Sequence, residues 1–106
     1  MNKIKQIKKT NENYRKYHIY GRPNYIKRPK NYVRFNAHNS KQHEMVKASV
    51  CYDILSKGHE FITEACENST GKIRDIVDIT NNEIIEIETT KARASRHGSN
   101  ITVKMV

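Results

Sequence analysis

The sequence predicts an α/β protein: a small mixed sheet with the element order α-β-β-β-α-β, preceded by an extended basic N-terminal arm. Three observations predict it. Charge divides sharply near residue 42. A helix-periodic stretch follows the division. After that come three short strand-like runs, the second rich in Ile and Val, separated by turn residues. The arm is read as residues 1–40 and the domain as residues 41–106 of a 106-residue chain.

The arm is defined by its charge. Residues 1–42 carry twelve Lys and Arg against the single acid Glu12, a net +11; residues 43–106 carry eight against ten acids, a net −2, and together these make the formal +9. The basic segment has no sustained period of 3.6 or 2.0, and Pro23 and Pro29 interrupt any helix through residues 20–32. It is expected to be extended, with one turn of helix near residues 11–19. Cations neutralise phosphates and release counterions. Tyr14, Tyr17, Tyr20, Tyr25, Tyr32 and Phe35 are interleaved with them, and flat rings stack on unpaired bases. The expected nucleic-acid contacts are Arg15, Lys16, Arg22, Tyr25, Lys27, Arg28, Lys30, Tyr32 and Arg34. The plainer alternative is a solvated, disordered tail whose rings pack on the domain.

The domain opens with a helix. Asn39 or Ser40 supplies an N-cap, and Met45, Ala48, Cys51, Tyr52 and Leu55 form an apolar stripe within residues 41–57. Gly58 stops the helix. The first strand is read at 59–66 and ends at the turn Glu67-Asn68-Ser69-Thr70-Gly71. A second strand spans 72–79, Thr80-Asn81-Asn82 makes a tight connection, and a third strand spans 83–89. A short basic helix over 90–96 crosses to a last strand at 101–106. That crossover makes the sheet mixed.

Several function classes are disfavoured. No apolar run approaches the roughly 18 residues of a membrane span, and the N-terminus lacks the apolar core of a secretory signal. Cys51 and Cys66 lack metal-ligand spacing and are expected as reduced thiols. An intracellular, cytoplasmic chain without a membrane partner is therefore expected. No phosphate-cradling glycine loop and no Ser/His/Asp arrangement is present. The five histidines are scattered.

The chemistry is carried by acids. Asp75 lies on the second strand, Glu86 and Glu88 two apart on the third, and Glu44 in the first turn of the helix. Carboxylates alternating with Ile on a central strand are unfavourable unless a metal, a base or solvent meets them. The plain alternative makes Glu83, Glu86 and Glu88 a solvated strand face and pairs Asp75 and Asp78 with Arg74 and Lys72.

These residues in this order resemble the PD-(D/E)XK, or restriction-endonuclease-like, nuclease superfamily, over about residues 41–106. The run from Leu55 to Ala65 is similar to that family's first helix leading into its first core strand. The resemblance implies a restriction-endonuclease-like fold and a metal-dependent DNA endonuclease. Asp75 and Glu86 would hold Mg²⁺ or Mn²⁺, with Glu44 matching the helix glutamate. Position 88, where the family has a lysine that handles the attacking water, is Glu88. Lys47, one turn after Glu44, and Lys91 are the candidates to replace it. Lys91, Arg93 and Arg96 would grip the backbone near the scissile phosphate. A homodimer is implied where two strands are cut. DNA is favoured over RNA. The departure at position 88 keeps a second class open: a non-catalytic structural nucleic-acid-binding protein, of ribosomal, virion or nucleoid kind.

Overall fold

A computed structural model describes residues 3–19, 30–90, 97, 98 and 100–106. In chain order the elements are α1 (Lys3–Tyr14), β1 (Tyr17–Ile19), α2 (Lys41–Ser56), β2 (Phe61–Glu67), β3 (Ile73–Asp78), β4 (Glu83–Glu88) and β5 (Ile101–Met105). The strands form one sheet in the order β1-β2-β3-β4-β5; β1 to β4 run antiparallel, and β5 pairs parallel to β4. The protein is thus α/β with a mixed five-stranded sheet. The helix expected over 90–96 falls almost wholly outside the described residues.

Adjacent strand residues point to opposite faces, so the sheet separates two apolar clusters. On one face Cys51 and Ile54 of α2 pack with Phe61, Ile76, Ile85 and Ile87, flanked by Val33, Val46 and Val50. On the other, Tyr17, Ile62, Ala65, Val77, Ile79 and Ile84 cluster, with Tyr14 and Ile101 against them. The adjacent pairs Ile76-Val77 of β3 and Ile84-Ile85 of β4 serve both faces, one residue to each cluster.

Two expectations are corrected. Residues 3–14 form a helix rather than an extended arm, and Tyr17–Ile19 add an edge strand to the sheet. The N-terminal prolines begin only at Pro23, so nothing upstream of it forbids a helix. Asn13 Nδ2 donates to the Ile79 carbonyl at 2.8 Å, and Tyr14 OH donates to Glu60 Oε1 at 3.3 Å. Asn68 closes the junction: its amide N–H donates to the Lys16 carbonyl and its side-chain NH₂ to that of Arg15. The second correction concerns α2. Of its expected stripe only Cys51 is buried, while Met45, Tyr52 and Leu55 are exposed. The inward face is instead His43, Glu44, Lys47, Cys51 and Ile54. Charged residues occupy it because each is paired.

Ser40 caps α2, its Oγ accepting from the His43 N–H at 3.1 Å. The segment entering that cap runs along β2: Asn31 N–H donates to the Phe61 carbonyl, and Thr63 Oγ1 donates to the Tyr32 carbonyl and accepts from Arg34 N–H.

The orientation of α2 is testable. Ile54→Ala is expected to lower stability by about 2–5 kcal/mol, whereas Met45→Ser and Tyr52→Ser stay within about 0.5 kcal/mol. Urea unfolding of the three variants reads this directly.

Candidate active site

The sheet opens where the acids lie. Cα pairing of β3 with β4 runs through Asp78↔Glu83, Val77↔Ile84 and Ile76↔Ile85. Beyond it, the Ile87 N–H donates at 2.8 Å to the Asp75 side chain rather than to a backbone carbonyl. The carboxylate thus takes a ladder position. A cleft of about 320 Å³ lies there, walled by residues 38–40, His43, Asp75 and residues 86–89. Its wall is mainly polar.

Asp75 and Glu86 are hydrogen-bonded to each other, and Glu86 is only 6% exposed. Burial, then the Asp75 charge and the hydrogen bond, push the Glu86 carboxyl up to about 8, against the pull of Arg74. Near neutral pH Glu86 therefore keeps its proton. Arg74 Nη1 stands 3.5 Å from Glu86, while its Nη2 donates to Glu67 Oε1 at 2.8 Å. Burial raises the Glu67 carboxyl, but the hydrogen bonds from Arg74 and Thr70 outweigh it and hold Glu67 below its ordinary value.

Glu44 meets the cleft through His43. Its Oε2 lies 2.7 Å from His43 Nδ1, and His43 Nε2 lies 3.5 Å from Asp75 Oδ2. Behind Glu44 sits Lys47, fully buried, with its ammonium 2.8 Å from Glu44, 2.9 Å from Glu64 and 2.9 Å from the Arg34 carbonyl. All three ammonium hydrogens are taken. Burial pulls the Lys47 ammonium down, but hydrogen bonds to Glu44 and Glu64 overcome this and hold it above its ordinary value. Burial likewise raises the Glu44 carboxyl, and hydrogen bonds from Lys47, the Asn36 N–H and His43 outweigh it, leaving Glu44 below its ordinary value.

The sequence-derived candidates are thus distributed as follows. Asp75, Glu86 and Glu88 share the cleft; Glu44 is one residue removed from it, and Lys47 two. Glu88 Oε1 is 2.9 Å from His97 Nε2. His43, whose place beside Glu44 in the sequence allows it to approach the site, links Glu44 to Asp75. Among the described residues no group of three or more His, Cys, Asp or Glu has the arrangement of a formed metal centre. The donors present are two carboxylates facing each other, a set that suits a hard cation completed by water.

Of the expected nucleic-acid contacts, Arg15 and Lys16 are exposed just after α1, and Tyr32 and Arg34 are exposed along β2. Lys30 pairs with Glu60 at 3.0 Å. Tyr17 is buried in the core and Tyr14 packs against it, so these rings serve the fold. Arg22, Tyr25, Lys27, Arg28, Lys91, Arg93 and Arg96, with Tyr20, lie outside the described residues. A larger hollow of about 740 Å³ beside α1 has Glu60 as its one acid among the described lining, and Lys30 answers it. Cys51 is buried, and burial pushes its thiol up to about 12, which removes it as a nucleophile. No described helix is long and apolar enough to cross a membrane.

Comparison with protein-family models, with curated proteins and with solved structures finds no match.

Two outcomes are expected. Lys47→Met strands Glu44 and Glu64 in the interior and lowers stability by about 3–5 kcal/mol in denaturant unfolding. The second concerns pH. The folded chain retains the Glu86 proton up to about 8, whereas the unfolded chain loses it near the ordinary glutamate value of 4.5. Between those values the native state binds more protons, so this group's contribution falls as pH rises. Thermal unfolding of Glu86→Gln should accordingly decline less from pH 5 to pH 8 than that of the parent.

Proposed function

We propose that this chain is a metal-dependent nuclease that hydrolyses phosphodiester bonds of nucleic acid, DNA in the first instance, at the cleft between β3 and β4. The observation that carries the reading is the Asp75–Glu86 pair: two carboxyls held together at an opened strand pair, one of them protonated. A proton relieves their repulsion, and a divalent cation would relieve it more fully. The order of helix and strands around the pair, with Glu44 at the head of α2, supports a restriction-endonuclease-like reading of the fold.

Asp75 and Glu86 would hold Mg²⁺ or Mn²⁺, which supplies Lewis-acid polarisation of a phosphate oxygen. Glu86 would serve as a ligand in its ionised form. Asp75 is oriented by the Ile87 N–H on one side and by His43 on the other. His43 is oriented by Glu44, and Glu44 by Lys47. Lys47 is therefore a positioning residue, because it has no hydrogen left for water. Glu88 stands on the cleft wall where the resembling family has its lysine, and His97 holds its carboxylate. In this proposal Glu88 accepts the proton of the attacking water. The new P–O bond forms as the ester P–O bond breaks, leaving a phosphate on one product and a hydroxyl on the other. Tyr32 and Phe35, exposed on the segment that leads into the cleft, offer rings to unpaired bases. A pair of copies would supply two clefts for two strands.

A non-catalytic nucleic-acid-binding protein is the second reading, favoured by Glu88 in place of lysine and by the full engagement of Lys47.

Plasmid and branched DNA incubated with Mg²⁺ or Mn²⁺ decide between them. Metal-dependent cutting is expected from the parent, abolished in Asp75→Ala/Glu86→Ala and reduced about 10²-fold in Glu88→Gln. Mn²⁺ should also raise the melting temperature of the parent but not of the double variant. Binding without cutting and without a metal-induced shift would support the second reading.

A further inference from the structure

The inner face of α1 fixes it to the body through a narrow strip. Thr10 and Asn13 are buried, Asn13 donates to the Ile79 carbonyl, and Tyr14 packs on the core cluster behind the sheet. At helical spacing the opposite face carries Lys5, Lys8, Lys9 and Glu12, and Arg15 and Lys16 continue it beyond the last turn. All six are exposed. No ion pair among the described residues involves Lys8, Lys9, Arg15 or Lys16. A disordered solubility tail would need no buried asparagine and no double hydrogen bond from Asn68 to orient it. This helix is oriented, and what it orients is a row of cations.

We infer that the outward face of α1 is a phosphate-binding surface for duplex nucleic acid, separate from the cleft. Three points choose the partner. First, the face is cationic with one acid in the row, which complements a polyanion. Second, it has no exposed ring. Tyr14 and Tyr17, the aromatics that adjoin these cations among the described residues, are packed inward. The stacking on which single-strand binding relies is therefore missing here, and a duplex, which presents phosphates outward and bases inward, is the better match. Third, a 12-residue helix is about 18 Å long, enough to follow several phosphates of one duplex strand. The separation follows from the anchor. α1 is tied at Ile79, four residues along the chain from Asp75 or about 13 Å at strand spacing, and Tyr14 packs on the sheet face opposite α2. The inference rests on nucleic acid being the substrate, as in the proposed function, but not on catalysis. The cleft engages the bond to be cut, while α1 holds duplex elsewhere on the molecule. Arg15 and Lys16, at the helix C-terminal end, also favour the helix dipole, which gives them a fold role alongside this one.

The test is binding of the full-length chain to a 30-base-pair duplex in EDTA, by fluorescence anisotropy, across a salt series. The parent is compared with Lys8→Gln/Lys9→Gln/Arg15→Gln/Lys16→Gln. Four lost phosphate contacts reduce the slope of log affinity against log salt by about 3.6. Raising salt from 50 to 200 mM should then cost the parent about 10²-fold more affinity than the variant. Circular dichroism melting checks the fold, and the pair Lys8→Gln/Lys9→Gln, away from the helix end, gives about half the slope change. Equal affinity and slope in parent and folded variants overturns the inference, as does an equal loss on single-stranded DNA. Anionic vesicles replacing duplex as the ligand that the variant loses would assign the face to a membrane surface and overturn it too. The nuclease reading fails separately: a chain that binds duplex through α1 yet never cuts with metal leaves this surface standing.

Discussion

The rest of the structure hangs on the buried ammonium of Lys47. An ammonium in the interior is tolerable only when every hydrogen has an acceptor and its charge is answered. Glu44, Glu64 and the Arg34 carbonyl meet that requirement, and each does so from a different part of the chain. Glu44 ties the ammonium to its own helix, Glu64 ties it to β2, and Arg34 ties it to the segment that precedes the cap. The rotation of α2 follows from this. With Lys47 inward, His43 and Glu44 point to the sheet, and Met45, Tyr52 and Leu55 are turned out. The backbone of β2 follows as well. Glu64 adopts φ +50°, a left-handed conformation uncommon outside glycine, and the pairing on either side of it stays in register at Thr63↔Ile76 and Ala65↔Arg74. Its carboxylate is thereby placed on Lys47 while Ala65 keeps to the other cluster.

Charge passes from this anchor to the cleft in alternating sign. Lys47 holds Glu44, Glu44 holds His43, and His43 faces Asp75, which is hydrogen-bonded to Glu86, beside Arg74 and then Glu67. Within this series Glu44 and Glu67 each have a cationic or imidazole nitrogen at 2.7–2.8 Å. At that pair the alternation fails, with two acids side by side and Arg74 at 3.5 Å as the nearest full cation. A raised carboxyl in a polar cleft marks the position as one where a positive species is wanted. Where Glu86 would face bulk water the same residues would ionise and carry no such signal.

Much of the domain was legible because its elements obey short-range rules. The turns at 67–71 and 80–82 are polar and punctuate runs of Ile and Val, and the strands fall where those runs fall. Asp75 and Glu86 were also legible, since two acids on neighbouring strands meet once the hairpin forms. The buried face of α2 was not. Hydrophobic periodicity assigns Met45, Tyr52 and Leu55 inward, and only the tertiary partners of Lys47 reverse that assignment. Nor was α1 legible: its sequence is polar almost throughout, and its helix is secured by Asn13 and Tyr14 against residues more than 40 positions away, which no local window contains. The place of His43 beside Glu44 was legible, and only its contact with Asp75 on another element was not.

The placement of charge explains how an acidic cleft can belong to a strongly basic chain. On the proposed reading, a phosphodiester approaching Asp75, Glu86 and Glu88 would meet like charge, and the proton on Glu86 would remove only part of it. Attraction of the polymer therefore has to come from elsewhere on the molecule, while the cleft itself needs a cation before a phosphate can settle there. The cations on α1 would supply the first requirement without crowding the second, because that helix is anchored through Tyr14 behind the sheet and the acids open between strands. Spreading the same lysines around the cleft would neutralise the carboxylates directly and leave nothing to hold a metal ion. Keeping the two charges on separate elements allows attraction and coordination to coexist in a chain of this size.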